Sequence, residues 1–399
     1  MQIQTPFESL LRVYCPHGVQ HFYLGELEDT EKITLGRGKV ISKQDIIDTP
    51  GTYPVYSSSA VGDGEIGCYG KFMFDDVRLS WSIDGGGKFF YRNAPRYSIT
   101  NVSGWLKVND DTSVNIKYLY YTLLNEWVKK SFDYTHKAHP SVVRKEYRIP
   151  LPPLPVQQEI VRILDSFTEL TAELTAELTA RRKQYEYYRD ELLNSNSHNV
   201  SFVPLGELYP NIRNGFVGTV TPFFSTKDNG ILYLRGTNIH DGSISTEDIV
   251  YVSKDFHKKH SKTELKTDDI IMVQSGHVGE CAVVGEKYAG ANCHALIVMS
   301  NGGKCNSEYI THYLHSSEGK KILNAITTGG TVKHILASKI KQVVVPLPTL
   351  DVQNRIVKLL NNFNVICTDL NTGLPAEIAA RQKQYEYYRD KLLTFKETL

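Results

Sequence analysis

The chain lacks most of the features that usually betray an activity. Its 399 residues hold 6 cysteines, at 15, 68, 281, 293, 305 and 367, and no two are spaced as CxxC. A chain this long builds enough core to need no disulfide staples, so reduced thiols are expected. No apolar run approaches 18 residues, which excludes a membrane-spanning helix. The opening stretch MQIQTPFESLLRVYCPHGVQ lacks the basic-then-apolar order of a signal peptide. A cytoplasmic protein without membrane contact is expected. An excess of one charge is missing too. With 45 basic and 44 acidic residues the net charge is +1, so composition alone does not announce nucleic acid. A basic face balanced by an acidic one gives the same sum.

Catalytic motifs are equally scarce. GDGEIG (62–67) places Gly62, Gly64 and Gly67 as GxGxxG, but the β-like CYGKFMF follows where a dinucleotide site needs a helix. These are expected to be turn glycines. No phosphate-loop Gly-Lys-Ser/Thr and no GxSxG elbow occurs. The histidine pairs of HKAH (136–139) and HKKH (257–260) have no cysteine or carboxylate cluster beside them, which points to basic surface and no metal site. ELK (264–266) and CH (293–294) are fragments of nuclease and thiol centres that occur by chance. Asn-Pro-Pro-Tyr and Asp-Pro-Pro-Tyr, the tetrapeptides of amino-methyltransferases, are absent. No catalytic residue and no cofactor is expected in this chain.

What the chain does have is repetition. RKQYEYYRDELL (182–193) returns as QKQYEYYRDKLL (382–393), and IPLPPLPVQQEIVRILDSF (149–167) returns as VPLPTLDVQNRIVKLLNNF (345–363). YLGEL (23–27) is matched by PLGEL (204–208), and FESLL (7–11) echoes RDELL (189–193). The order is helix end, variable region, helix, variable region, helix, which can close on itself with the chain termini near each other. The proline-rich lead-ins cannot lie inside helices. After the first, apolar residues form a heptad seam at Ile160, Leu164, Phe167, Leu174, Leu178, Tyr185, Tyr188 and Leu192. Thr171 and Arg181 are its imperfect positions. TELTAELTAELTA (168–180) is rich in helix formers. A helix over 156–193 is roughly 55–60 Å long. The second seam runs through Ile356, Leu360, Phe363, Cys367, Leu370 and Leu374, and the repeated run supplies Tyr385 and Tyr388. TGLPAEI (372–378) predicts a stop at Gly373 and a restart at Pro375, then a short helix. Pairing within the chain, antiparallel, is favoured over a homodimeric coiled coil.

The intervening regions, about 20–148 and 201–344, are rich in Gly, Tyr, Ser and Thr. β-like runs recur (TYPVYSSS, IIMVQSG, CAVVGE, ALIVMS, KQVVVPLP), and the helical IKYLYYTLLNEWVKKSF (116–132) has its counterpart in SEYITHYLHSSEGKKILNAI (307–326). Each region reads as a mixed α/β globule. Similar scaffolds with unlike surfaces suggest that two different things are bound. Lys129, Lys130, Lys137, Arg144, Lys145, Lys258, Lys259 and Lys262, with Arg148, suit polyanion contact. Arg78, Trp81, Arg235, Asn238, Gln274 and His277 lie in Gly- or Ser-rich surroundings from which forked side chains can read bases.

These features together resemble the specificity subunit of type I restriction-modification systems. The signs are the paired LGEL openings, the PLPPLPVQQEIV and PLPTLDVQNRIV entries, the TAEL array and the two KQYEYYRD runs. GRGKVISKQDI, YPVYSSS and LRGTNI are lesser signs, and the resemblance covers essentially the whole chain. It implies an α+β architecture of two α/β target-recognition domains separated by two long antiparallel coiled-coil helices, with internal pseudo-twofold duplication. The domains are expected at 1–150 and 201–345 and the spacer helices at 151–200 and 346–399. The implied partners are double-stranded DNA, two methyltransferase subunits and, optionally, two restriction-translocase subunits. S-adenosylmethionine in the former and ATP with Mg in the latter would be the cofactors. A stand-alone DNA-modifying enzyme and a scaffold that binds no DNA remain as alternatives.

Overall fold

A computed structural model describes residues 6–58, 62–84, 86–133, 135–194, 200–330, 332–368 and 373–398. The chain divides into two compact units: residues 1–174 with 378–399, and residues 175–377. Both cuts fall inside helices, one in the central helix Leu154–Leu192 and one in the last helix, Leu374–Leu393. Each unit therefore owns one variable region, the start of the helix that follows it and the tyrosine run of the other helix.

The two units repeat one frame. In unit 1 an antiparallel four-stranded sheet has the order Ile33–Arg37, Ser103–Val108, Arg78–Ser82, Phe89–Arg92. In unit 2 the corresponding order is Asn211–Asn214, Leu296–Ser300, Ile270–Val273, Cys281–Val283. A second sheet in each unit ends in a short parallel pair, Pro50–Tyr56 with Ser98–Ile99 and Gly230–Leu234 with Asn292–Cys293. The duplicated entry pairs with the chain ahead of each LGEL: Phe22 opposes Ile149, and Val203 opposes Val345.

Side chains alternate across a strand, and the two units use that differently. In unit 2, Ile270 and Met272 enter one core while Ile271 and Val273 enter another on the opposite face. In unit 1, Leu79 and Trp81 enter the core, while Ser80 accepts from Arg92 Nε at 2.8 Å and Ser82 donates to Ser58 at 2.9 Å. One face is kept as frame and the other is free to vary. The paired helical stretch of the two variable regions also differs in detail. Ile116–Trp127 is one helix, whereas its counterpart breaks into Ser307–His315 and Ser317–Ile326 at Ser316, whose hydroxyl caps the second piece.

Each variable region is joined to its helix by the same hydrogen bonds. Gln157, fully buried, accepts from the Asn115 N–H (2.8 Å) and donates to the Ser113 and Pro152 carbonyls (2.8 and 2.7 Å). Its repeat partner Gln353 accepts from the Asn306 N–H (2.9 Å) and donates to the Pro348 carbonyl (2.8 Å). Asn115 and Asn306 are themselves the N-caps of the following helices. Tyr118 donates to the Pro150 carbonyl at 2.8 Å, and Tyr309 to that of Pro346 at 3.1 Å.

The central helix has no Gly or Pro after Pro155, which sits in the first turn where a missing N–H costs nothing. Within each unit the helical segments run antiparallel. Phe167 stacks on Tyr388 with centroids 5.4 Å apart in unit 1, and Phe363 stacks on Tyr188 at 5.5 Å in unit 2. Ile160, Leu164, Ile356 and Leu360 are buried, as is Leu174; Leu178 is half-buried. Leu370 lies outside the described residues. The expected break with a restart at Pro375 is found, since the described helices are Leu350–Thr368 and Leu374–Leu393. But the Gly373 carbonyl accepts from Ala376 and Glu377 (3.0 and 3.2 Å), which puts Gly373 at the start of the second helix, and that helix has 20 residues where a short one was expected. The chain ends meet in unit 1: the Val19 N–H donates to the Lys396 carbonyl at 2.8 Å, and Arg148 pairs with Glu397 through both guanidinium nitrogens. Phe7, Leu10 and Leu11 share a core with Leu392 and Leu393.

Replacing Gln157 by alanine leaves a buried N–H and two carbonyls without partners. The expected cost is about 2–3 kcal/mol, or roughly 4–10 °C in the melting temperature of a unit this size. Calorimetry of Gln157→Ala and Gln353→Ala checks it. A shift under a degree in both shows that the frame is held elsewhere.

Candidate nucleic-acid interface

The residues named from the sequence fall into three groups. Trp81 and Asn238 belong to the frame. Trp81 is fully buried and its indole N–H donates to the Ala138 carbonyl at 2.7 Å. Asn238 is fully buried, accepts from the Arg235 N–H (3.0 Å) and donates to the Glu247 carbonyl (2.9 Å). Neither offers a group to a ligand, so their expected role in reading bases is corrected. Arg78 comes close to the same condition. Its guanidinium is bidentate to Asp76 (2.6 and 3.0 Å) and lies over the rings of Phe74 and Trp105. Burial pushes the Asp76 carboxyl up, but the bonds from Arg78 and from Lys107, at 2.9 Å, outweigh it and hold the group below its ordinary pKa.

The second group is the cations of unit 1, most of which are partnered. Lys129 pairs with Glu126 at 2.6 Å, Lys137 with Asp84 at 2.8 Å, and Arg144 with Asp29 at 2.7 Å. Lys130 donates to the Glu146 carbonyl at 2.8 Å, and Lys145 is exposed. Exposed pairs of this kind are worth about 1 kcal/mol or less, so a phosphate can take the cation over. The third group lies in unit 2. Lys258 and Lys259 end the helix Lys254–Lys259, Lys262 follows in the next turn, and all three are exposed. Lys254 and Lys266, not picked out from the sequence, extend the run; their spacing of four from Lys258 and Lys262 was the signal. Arg235 follows strand Gly230–Leu234 and donates from Nη2 to the Asp248 carbonyl at 2.7 Å. Gln274 follows strand Ile270–Val273, and His277 is exposed in the next loop.

Along the helices, Tyr185 and Tyr385 are half-buried in the seam, whereas Tyr188 and Tyr388 keep one face outward while stacked on phenylalanine. Tyr187 and Tyr387 are each 62% exposed and meet their neighbours edge-on. Each unit thus shows an aromatic pair on its helical surface. Unit 2 also has a cleft of about 200 Å³ where Arg182, Arg189 and Lys320 face Glu186, Asp241 and Glu280. The charges cancel, which suits no polyanion. Among the described residues, no group of His, Cys, Asp or Glu could hold a metal ion, and no helix is long and apolar enough to cross a membrane.

The joint between variable region and helix also differs electrostatically between the units. In unit 1, Tyr121 and Lys117 both donate to Asp165 at 2.6 Å. At the equivalent place in unit 2, His312 Nε2 donates to Asn361 Oδ1 (2.9 Å) and Nδ1 accepts from Tyr185 (3.1 Å). Burial pushes the His312 pKa down. His315 in the next turn accepts from the Cys281 N–H, and burial pushes it down to about 3.

With the geometry laid out, the class of protein follows. The chain belongs to the type I restriction modification DNA specificity domain family, whose model matches residues 16–181 and 211–380, one copy per variable region with its helix. It is similar to the EcoR124I/EcoR124II specificity subunit of the type I restriction enzyme of Escherichia coli, 33% identical over 306 residues that cover 72% of each chain. Its fold is similar to that of the S subunit of a type I restriction-modification system from M. genitalium, with a TM-score of 0.54, 16% identity and 98% of both chains covered. A chain from a type I restriction-modification complex gives a TM-score of 0.56 at 16% identity over 94% of this chain and 97% of that one. The chain is a sequence-specific DNA-recognition subunit. Neither the stand-alone enzyme nor the DNA-free scaffold draws support from these relatives.

An unfolded histidine titrates near 6.5. The stability contributed by neutral His312 and His315 is therefore present above that pH and lost as pH falls toward their lower folded values. For His315 the expected loss between pH 7.5 and 5 is roughly 2 kcal/mol. Denaturant melts of the wild type and His315→Gln across that range check it; parallel pH slopes refute it.

Proposed function

We propose that each unit reads one half of a bipartite, asymmetric DNA target, that the helices set the gap between halves, and that the helical surfaces dock two methyltransferase subunits. The observation that carries this reading is one backbone frame, repeated with the same glutamine and tyrosine joints, bearing unlike outer chemistry in its two copies. A subunit that read one symmetric site would have no use for the difference. The chain itself is non-catalytic on this reading and works in the cytoplasm. The methyltransferases bring S-adenosylmethionine, and two restriction-translocase subunits, where they join, bring ATP and Mg. The exposed pairs Tyr187–Tyr188 and Tyr387–Tyr388 are the docking anchors, because exposed tyrosines flanked by charge give contact area at little entropic cost. The exposed lysines of 254–266 take phosphates, which positions the unit without specifying sequence.

The test is methylome sequencing of a host that expresses the chain with its cognate methyltransferase. A split motif with methyladenine in each half, absent without the chain, is expected. No new methylation from a soluble, associated complex overturns the reading. Deleting one TAEL unit (171–174) shortens the helix by about 6 Å, against about 3.4 Å per base pair of DNA. The gap is expected to shrink by one or two base pairs with both half-sites kept, and an unchanged gap sinks the ruler. Replacing Lys258, Lys259 and Lys262 by alanine is expected to weaken binding of the complex on all sequences alike and to lower the salt slope by about 2–3.

A further inference from the structure

We propose that the base-reading side chains of each unit stand where its short parallel strand pair ends: Arg235 with His294 in unit 2, and Ser57, held from behind by Thr100, in unit 1. This rests on the reading of the units as half-site readers and says where in each unit that reading happens.

Register equates the two places. In unit 2, Leu234 pairs with Cys293 and the His294 N–H donates to the Leu234 carbonyl at 2.8 Å. In unit 1, Tyr56 pairs with Ile99 and the Thr100 N–H donates to the Tyr56 carbonyl at 2.8 Å. The first residues past these pairs are therefore Arg235 and His294 in one unit, and Ser57 and Thr100 in the other. The backbone closing in from the side also matches. A Cβ on Gly38 would stand 2.2 Å from the Ile99 carbonyl oxygen, and one on Gly215 would stand 2.8 Å from that of Cys293. Glycine is required twice by the same close approach. Backbone and hydrogen bonds agree, and only the side chains at the strand ends do not.

Those side chains differ as two half-site readers must. In unit 1 the buried Thr100 hydroxyl donates to Ser57 at 2.9 Å, which leaves the half-buried Ser57 hydroxyl as a small group free to donate. In unit 2 the Arg235 guanidinium is anchored by Nη2 on the Asp248 carbonyl, while Nε is buried without an acceptor. Among the described residues the side-chain atoms of Ser98, Tyr147 and Thr311 are buried without a partner as well, so it is the pinned position of the fork, more than the orphan Nε, that suits it to a ligand. Beside it, His294 Nδ1 is engaged by the Tyr233 hydroxyl at 3.1 Å. Burial and the Arg235 charge both push the ring's pKa down, which keeps it neutral beside the cation. A pinned arginine fork with donors to spare fits the paired acceptors on the major-groove edge of guanine, and a lysine at the same place does not.

The test uses the full chain with its methyltransferase and sequences the methylome of the wild type, Arg235→Lys, Arg235→Ala and the double variant Ser57→Ala with Thr100→Val. Both Arg235 variants are expected to lose the demand for guanine at one position of one half-site, a fall of roughly 10–100-fold in discrimination there. The other half-site and the gap should stay unchanged. The double variant is expected to alter only the opposite half. Arg235 variants that melt with the wild type and methylate an unaltered motif overturn the proposal. If Arg235→Ala unfolds, Arg235→Lys decides, because it removes the fork and keeps the charge; a lysine variant that also unfolds makes Arg235 a frame residue and overturns the proposal as well. A wild type that yields no split motif overturns both this inference and the reading beneath it, whereas a split motif that ignores Arg235 overturns this inference alone.

Discussion

One contact made twice organises the chain: a phenylalanine from the start of one helical segment stacked on a tyrosine from the end of the other. Phe167 with Tyr388 and Phe363 with Tyr188 have nearly the same separation and tilt. Because the Phe167–Tyr388 stack joins residues from distant parts of the sequence, unit 1 is not continuous in the chain, whereas unit 2 runs unbroken from residue 175 to 377. Unit 1 is completed only by the last residues, which also pair with Val19 and Arg148. The TAEL array lies between Phe167 and Tyr185, outside both stacks, and it is there that the proposed ruler would be set.

The second constraint is the alternation of strands. A sheet that commits every other side chain to the core leaves the remainder uncommitted. In unit 2 the free face of Ile270–Val273 is filled by a second apolar core; in unit 1 the equivalent face holds Ser80, Ser82 and Arg92. Neither choice touches the glutamine and tyrosine bonds that tie the variable region to its helix. That separation lets two surfaces diverge on one frame.

The sequence disclosed the helices and the duplication because both are periodic. The heptad spacing marks Ile160, Leu164, Ile356 and Leu360, all of which are buried, and the offsets make Phe363 and Tyr388 the repeats of Phe167 and Tyr188, though which ring meets which is seen only in the stacks. It was misleading at Gly373, since a glycine before Leu-Pro serves a helix start as well as a stop; only the two bonds accepted by its carbonyl decide. The interface was the least legible part. Trp81 and Asn238 sit in Gly- and Ser-rich stretches just as loop residues do, and nothing in the letters says that Ala138 and Glu247 come round to satisfy them. Nor does the sequence align Ser57 with Arg235, because that equivalence exists only in strand register.

The near-zero net charge, which by itself does not announce nucleic acid, is consistent with this design. Lys129, Lys137 and Arg144 each face a carboxylate, and such pairs exchange for phosphate at small net gain. Affinity for arbitrary DNA grows with every unpaired cation, and the sites competing with a true target in a genome number in the millions. A subunit whose task is discrimination gains more from a low background than from a tight grip. Neutralising cations such as these locally lowers that background. Discrimination is then left to the few donors that the fold holds in place without satisfying them, the Arg235 fork first among them.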